Sequence, residues 1–252
     1  MSSAGYTALA RVYDRWQQSY GKDYSSLILP RLLGTFHRHG IRPSTLLDVA
    51  CGTGTLAVQL ARKGWAVWGV DASAGMLQAA QRRAVTTGLP LLFRRGDMRS
   101  FRMPVRVRVA TCLFDALNHL LSVRDLRAAC RRVAAHLEPG GYFVFDVNTI
   151  RCFELLWNGT QVVERADFTL ILQTGFDPRA RTGTSHVTVF EREGKVFRRS
   201  AETVRERYFT PEEITGALAA AGLTAVERRG FNFTPLRKAG EVKDWWVARR
   251  EG

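Results

Sequence analysis

The chain has 252 residues, 46% hydrophobic and 24% charged, enough to bury a sizeable core as one domain, with no apolar run near the roughly 18 residues of a membrane span. Charges interrupt the N-terminal MSSAGYTALARVYDRW where a secretory leader would be apolar, so a cytoplasmic protein without membrane contact is expected. Thirty-seven Lys and Arg against 23 Asp and Glu give a net charge of +14, which keeps nucleic acid in view as a partner; the arginines are nevertheless scattered over every predicted element, as on a solvated surface.

Two helical stretches, about 4–19 and 24–39, open the chain, the second with Pro30 placed to kink or break it. From residue 46 the pattern alternates. Strands are expected at LLDVA, AVWGV, LLFRR, VRVATCLF and YFVFDV, with helices near 54–63, 73–86 and 123–137. Strands separated by helices of this length form βαβ units, hence an α/β fold with a doubly wound, mostly parallel sheet. Residues 161–208 differ: VVERADFTLILQT, SHVTVFERE and KVFRRSAETVRERYF alternate at period two and read as an antiparallel insertion. TPEEITGALAAAGL then starts a helix with Thr210 as N-cap, Pro211 at its first position and Glu213 at capping-box spacing, and LTAVERRG and DWWVARRE supply two last strands. Trp245 and Trp246 should send one ring into each face of the sheet. The expected organisation is one domain: an N-terminal helical lid (1–40), a core (41–160), the insertion (161–208) and a closing helix with strands (209–252). Cys51, Cys112, Cys130 and Cys152 lack Cys-x-x-Cys spacing and His partners, so they read as buried hydrophobes; His37, His39, His136 and His186 also lack metal-ligand spacing, and no metal is expected.

The sharpest feature is LLDVACGTGT at the end of the first strand. Gly52 and Gly54 allow a tight turn and close backbone approach, and the following helix offers unpaired N–H groups to a polar ligand. Gly52-x-Gly54-x-x-Ala57 also fits a relaxed dinucleotide fingerprint, which leaves a nicotinamide dehydrogenase open. Asp71, ending the second strand, can bind both hydroxyls of a ribose. Asp97 in Gly96-Asp97-Met98 can accept from an adenine amino group while Met98 packs on the base. With Asp48 these make an acidic rim along three strand ends, which repels a pyrophosphate and attracts a cationic sulfonium and its ammonium group.

LLDVACGTGT, WGVDASAGML, GDM and LEPGGYFVFD together resemble, in order and spacing, the motifs of the class I S-adenosylmethionine-dependent methyltransferases. The small-molecule N-methyltransferases, including glycine N-methyltransferase and the amino-sugar N,N-dimethyltransferases, are similar also in the N-terminal Tyr13-Asp14 and Gly21-Lys22-Asp23-Tyr24 and in the late antiparallel insertion. The resemblance implies a Rossmann-like seven-stranded sheet of order 3-2-1-4-5-7-6 with the seventh strand antiparallel, S-adenosyl-L-methionine as cofactor and S-adenosyl-L-homocysteine as product. It puts Asp48, Ala50, Gly52 and Gly54 along the methionine moiety, Asp71 on the ribose, and Asp97 and Met98 at the adenine. Leu113 would offer backbone, and Tyr24 would close over the carboxylate end. Ala50 stands where many members have glycine.

The acceptor is expected to be a small polar molecule with an amine nitrogen as its nucleophile. His119, in the segment leaving the fourth strand, is the candidate base because imidazole accepts protons near neutral pH; it resembles the His or Tyr at this step in amino-sugar enzymes. Tyr13 matches a lid tyrosine that contacts substrate in that group. Asp115 and Asn118 could orient an ammonium or hydroxyl, and Arg151 could clamp a carboxylate. The same residues also have structural readings as strand terminators, caps or surface charge. An RNA methyltransferase and a non-catalytic cofactor-binding scaffold are the competing functions, and either a monomer or a homodimer is compatible with the sequence.

Overall fold

A computed structural model describes residues 6–18, 23–231 and 240–252. A seven-stranded sheet forms the centre: β1 (Thr45–Val49), β2 (Ala66–Asp71), β3 (Leu92–Arg95), β4 (Val107–Cys112), β5 (Leu137–Asn148), β10 (Leu223–Phe231) and β11 (Lys243–Arg250). Its order is β3-β2-β1-β4-β5-β11-β10, with β11 antiparallel to both neighbours, the topology that the resemblance implies. The buried runs of β1, β4 and β5 are covered on both faces, which is why they read as continuous apolar stretches. On one face lie α2 (Tyr24–Arg38), α3 (Thr55–Ala61) and part of α4 (Ala74–Thr87); on the other lie α5 (Val123–His136) and α7 (Pro211–Ala219). Trp245 joins the first layer, its Nε1 donating to Thr35 Oγ1 at 3.1 Å, and Trp246 joins the second beside Phe145. All four cysteines are buried and free. The Thr210 and Glu213 capping box forms at α7 with Pro211 as the first helical residue.

The insertion is a separate antiparallel sheet of β6 (Gly159–Glu164), β7 (Phe168–Asp177), β8 (Thr182–Glu193) and β9 (Val196–Arg207), joined to the core through α6 (Ile150–Leu156). VVERADFTLILQT, expected as one strand, turns back at 165–167, where Arg165 N donates to Phe168 O at 2.9 Å; the turn has no Gly or Pro, and Asp167 is its one turn-favouring residue. The stretch 4–19 is not one helix. Among its described residues a 3-10 turn (Leu9–Arg11) precedes α1 (Tyr13–Gln18), because one carboxylate, Glu202 of β9, accepts from the backbone amides of Thr7, Ala8 and Leu9 and fixes the chain there. Leu9 and Val12 then pack on Phe168, Leu170 and Val189, so the N-terminal segment rests on the insertion. Pro30 does not break α2: it is exposed, where a carbonyl deprived of its N–H partner is open to water. Among the described residues no helix is long and apolar enough to cross a membrane.

Candidate active site

Strand order reverses between β1 and β4, and a cleft opens beyond their C-terminal ends, as expected at a topological switch point. Asp48, Ala50 and Gly52 form one wall, Leu113 and Phe114 another, and Tyr13, Asp14 and Tyr24 of the N-terminal helices roof it. The turn from β1 to α3 is possible because three of its residues are left-handed: Ala50 (φ 58°), Gly52 (φ 55°) and Gly54 (φ 76°). The two glycines serve different ends. A Cβ on Gly54 would lie 2.8 Å from Phe93 Cζ, whereas one on Gly52 would meet nothing within 4 Å, so the space that Gly52 leaves belongs to the cleft. Ala50 tolerates its conformation at a cost of about 1–2 kcal/mol that a glycine would not incur.

The cleft is acidic. Asp14, Asp23 and Asp48 line it, and no Lys or Arg among the described residues does. Burial pushes the Asp48 carboxyl up to about 7, against the pull of its bond from Thr111 Oγ1 at 2.8 Å. Asp71 accepts from Gly52 N at 2.9 Å and Ser73 N at 2.8 Å, so it holds the motif turn, and burial raises its carboxyl. Asp97 is gripped by Arg99, with Nε to Oδ1 at 2.9 Å and Nη2 to Oδ2 at 2.5 Å, which lowers its carboxyl. An adenine amino group would share Asp97 with that guanidinium. Met98 is half-buried against the core, and neither it nor Gly54, Asp71 or Asp97 reaches the cleft wall. Gly21 and Lys22 lie outside the described residues.

Just beyond β4, Phe114 (φ 64°) and Asp115 (φ 50°) are two consecutive left-handed non-glycine residues, each costing about 1–3 kcal/mol unless its surroundings hold it. Asp146, at the end of β5, does so: its carboxylate accepts from Phe114 N at 2.6 Å, Asp115 N at 3.2 Å and Tyr24 Oη at 3.1 Å. Lys243 of β11, 1% exposed, donates to Asp146 at 2.7 Å and also to Asp115, and the two carboxylates hold its ammonium above the usual lysine value. Tyr24 thus leans on Phe114 (centroids 4.2 Å apart) with its hydroxyl committed to Asp146.

His119 ends a 3-10 turn (Ala116–His119) and is buried enough that its imidazole is lowered and stays neutral at pH 7. Its Nε2 lies 3.1 Å from the Tyr6 hydroxyl and 3.8 Å from Glu206 Oε1. Tyr13 stands edge-on to Tyr6 and Phe114, between the cleft and His119. Asn118 is fully buried with both amide ends taken, Nδ2 donating to Arg207 O at 2.8 Å and Oδ1 accepting from Asn148 N at 2.9 Å, so it staples the framework. Arg151 is exposed on α6 beside Gly240, away from the cleft wall. Side-chain atoms of Asp115, His119 and Glu206 come within 4.8 Å of one another, and the Lys243 ammonium also donates to Asp115. Tyr6, Asp146, Glu206 and Lys243 are not reached by reasoning from sequence, though Glu206 shares the inward face of β9 with Val204, a signal that period-two alternation carries.

The family model of a methyltransferase domain matches residues 46–141. A dTDP-3-amino-3,4,6-trideoxy-alpha-D-glucopyranose N,N-dimethyltransferase of Streptomyces venezuelae is 30% identical over 218 residues, 85% of this chain and 89% of that protein. A dTDP-3-amino-3,6-dideoxy-alpha-D-glucopyranose N,N-dimethyltransferase of Streptomyces fradiae is 38% identical over 55% of this chain, which spans about half of that relative (52%). The solved structure of an S-adenosylmethionine-bound amino pentose methyltransferase from Micromonospora echinaspora has a TM-score of 0.73 at 26% identity, covering 95% of this chain and 96% of that one. The chain belongs to the S-adenosylmethionine-dependent methyltransferases. Its cofactor is S-adenosylmethionine, and the site has the means to hold it: an acidic wall for the cationic groups and, at Gly52, an open cradle that a side chain would fill.

Proposed function

We propose that the protein methylates an amine nitrogen on a small polar acceptor, with an amino sugar carried on a nucleoside diphosphate as the first class to try. The observation that carries this reading is the cluster beyond Phe114, where a neutral imidazole and the carboxyl groups of Asp115 and Glu206 gather beside the rings of Tyr6 and Tyr13. Such a site suits a nitrogen that arrives with protons to lose. The relatives named above act on amino sugars.

In this reading Asp48 meets the cofactor's ammonium, the left-handed turn at 50–54 brings backbone up to its methionine part, Asp71 holds the ribose, and Leu113 offers backbone beside Phe114. Asp97 and Met98 flank the adenine. Bound S-adenosylmethionine supplies a methyl group on a cationic sulfur, a leaving group that needs no further activation. The chain's share is alignment and exclusion of water, an orientation effect of about 7–11 kcal/mol at most. Tyr13, Tyr24 and Phe114 close the cleft, and His119 meets the acceptor through Nε2. The four free, buried cysteines accord with a reducing cytoplasm as its location.

The test is incubation of the protein with S-adenosylmethionine and dTDP-3-amino-3,6-dideoxyglucose, read by mass spectrometry. Mono- and dimethylated amine with matching S-adenosylhomocysteine is expected. Methylation of the sugar hydroxyls, or of RNA and no amine, would overturn the acceptor assignment.

A further inference from the structure

Three carboxyl groups, those of Asp115, Asp146 and Glu206, gather at the acceptor end around one buried ammonium, and Lys243 gives its described hydrogen bonds to the first two. Glu206 is 4% exposed. Its Oε2 accepts from Asn148 Nδ2 at 2.9 Å, and its Oε1 faces His119 Nε2 at 3.8 Å. That spacing is fixed. Asn118, next to His119 in the turn, donates to the carbonyl of Arg207, next to Glu206 in β9, and also binds Asn148, so turn and strand are stapled on both sides of the gap. The gap is too long for a direct hydrogen bond but admits one nitrogen at about 2.9 Å from each atom. An Asp115 oxygen completes a set of three acceptors within 4.8 Å of one another.

We propose that Glu206 is a catalytic residue of the amine-methylating reaction: it receives the acceptor's nitrogen together with His119 and Asp115 and takes one proton from it. The inference rests on the amine reading given above. In the step, one N–H bond of the ammonium breaks, its electron pair stays on nitrogen as the nucleophilic lone pair, and an O–H bond forms at Glu206 Oε1; the proton passes to water once product has left. Burial sets the direction, since a neutral amine beside a neutral carboxylic acid avoids the desolvation of an ion pair. The same burial raises the Glu206 carboxyl. Facing this group are the Tyr6 hydroxyl from the N-terminal segment, Asp115 from the turn, the Cys152 thiol from α6 and the Lys243 ammonium from β11, whose charge Asp115 and Asp146 share. An entering nitrogen replaces the Tyr6 hydroxyl as the partner of His119 Nε2.

Glu206→Gln keeps the volume and an acceptor for Asn148 but cannot take a proton. With dTDP-3-amino-3,6-dideoxyglucose as probe, kcat/KM is measured from pH 6 to 10. The variant should fall about 100-fold below wild type at pH 7 and recover tenfold per pH unit as bulk water deprotonates the amine, with unchanged affinity for S-adenosylhomocysteine. Parallel profiles for the two proteins would overturn the proposal. A second measurement needs no acceptor: in the 13C-Glu-labelled protein bound to S-adenosylhomocysteine, the Glu206 carboxyl resonance, identified by its loss in Glu206→Gln, should pass from carboxylic acid to carboxylate as pH rises from 6 to 9. A carboxylic acid that persists at pH 9 has no place for the acceptor's proton and would refute the role. If wild type leaves the probe unmethylated, the amino-sugar reading fails and the resonance still decides for Glu206.

Discussion

Replacing Lys243 with methionine should be among the most costly single changes outside the motif turn. The lysine is 1% exposed and Asp146, its partner at 2.7 Å, is 0% exposed, so truncation leaves a carboxylate in the core without a cation. Breaking a buried pair in this way costs about 3–5 kcal/mol. Asp146 would keep its bonds from Phe114 N, Asp115 N and Tyr24 Oη, which limits the loss to that range and favours folding with Asp146 protonated. The sign of the pH dependence follows. Unfolded, the carboxyl titrates near about 4, and in the folded variant it titrates higher, so the deficit is small in acid, grows as pH rises from about 4 to the folded value, and then levels. Urea denaturation of wild type and Lys243→Met at pH 5 and pH 8 measures both parts. A deficit at pH 8 below about 1 kcal/mol, or one equal at the two pH values, would refute the reasoning that the pair braces the strained turn.

Gly54→Ala and Gly52→Ala should separate stability from binding. The first forces a left-handed alanine whose Cβ lies 2.8 Å from Phe93, costing about 2–4 kcal/mol in thermal or urea unfolding. The second costs about 1–2 kcal/mol but narrows the cleft, so affinity for S-adenosylhomocysteine drops more than stability does. Because Asp48 titrates near about 7 and must be ionised to meet the cofactor's ammonium, binding should tighten about tenfold from pH 6 to pH 8 in calorimetry, and Asp48→Asn should flatten that rise. His119→Ala should lower kcat/KM for an amine acceptor at least tenfold while leaving cofactor affinity intact; equal kinetics from pH 6 to 9 would return His119 to a packing role. Dialysis against a chelator should leave turnover unchanged, since the cationic sulfur is a leaving group that needs no further activation.

The parallel core is readable from sequence because its central strands carry apolar runs that end in a residue of special conformation or charge, such as Asp48-Val49-Ala50 or Val70-Asp71. The capping box at Thr210 and Glu213 is local chemistry and equally plain. What escapes is long-range. Lys243 reads as a charge flanking the last strand, and nothing nearby in sequence indicates that Asp115 and Asp146, 128 and 97 positions away, draw it into the core. The N-terminal helix fails for a similar reason: its amides are claimed by Glu202, 193–195 positions distant. Asn118 shows the converse, a polar residue of plausible site chemistry whose amide the fold commits elsewhere, to Arg207 and Asn148.

The most direct test of the cofactor assignment is calorimetric titration of the protein with S-adenosylhomocysteine, with NAD as control. Saturable one-site binding of S-adenosylhomocysteine and no heat with NAD is expected from an acidic cleft that favours cationic groups and repels a pyrophosphate. Absence of S-adenosylhomocysteine binding, or equal binding of NAD, would contradict it.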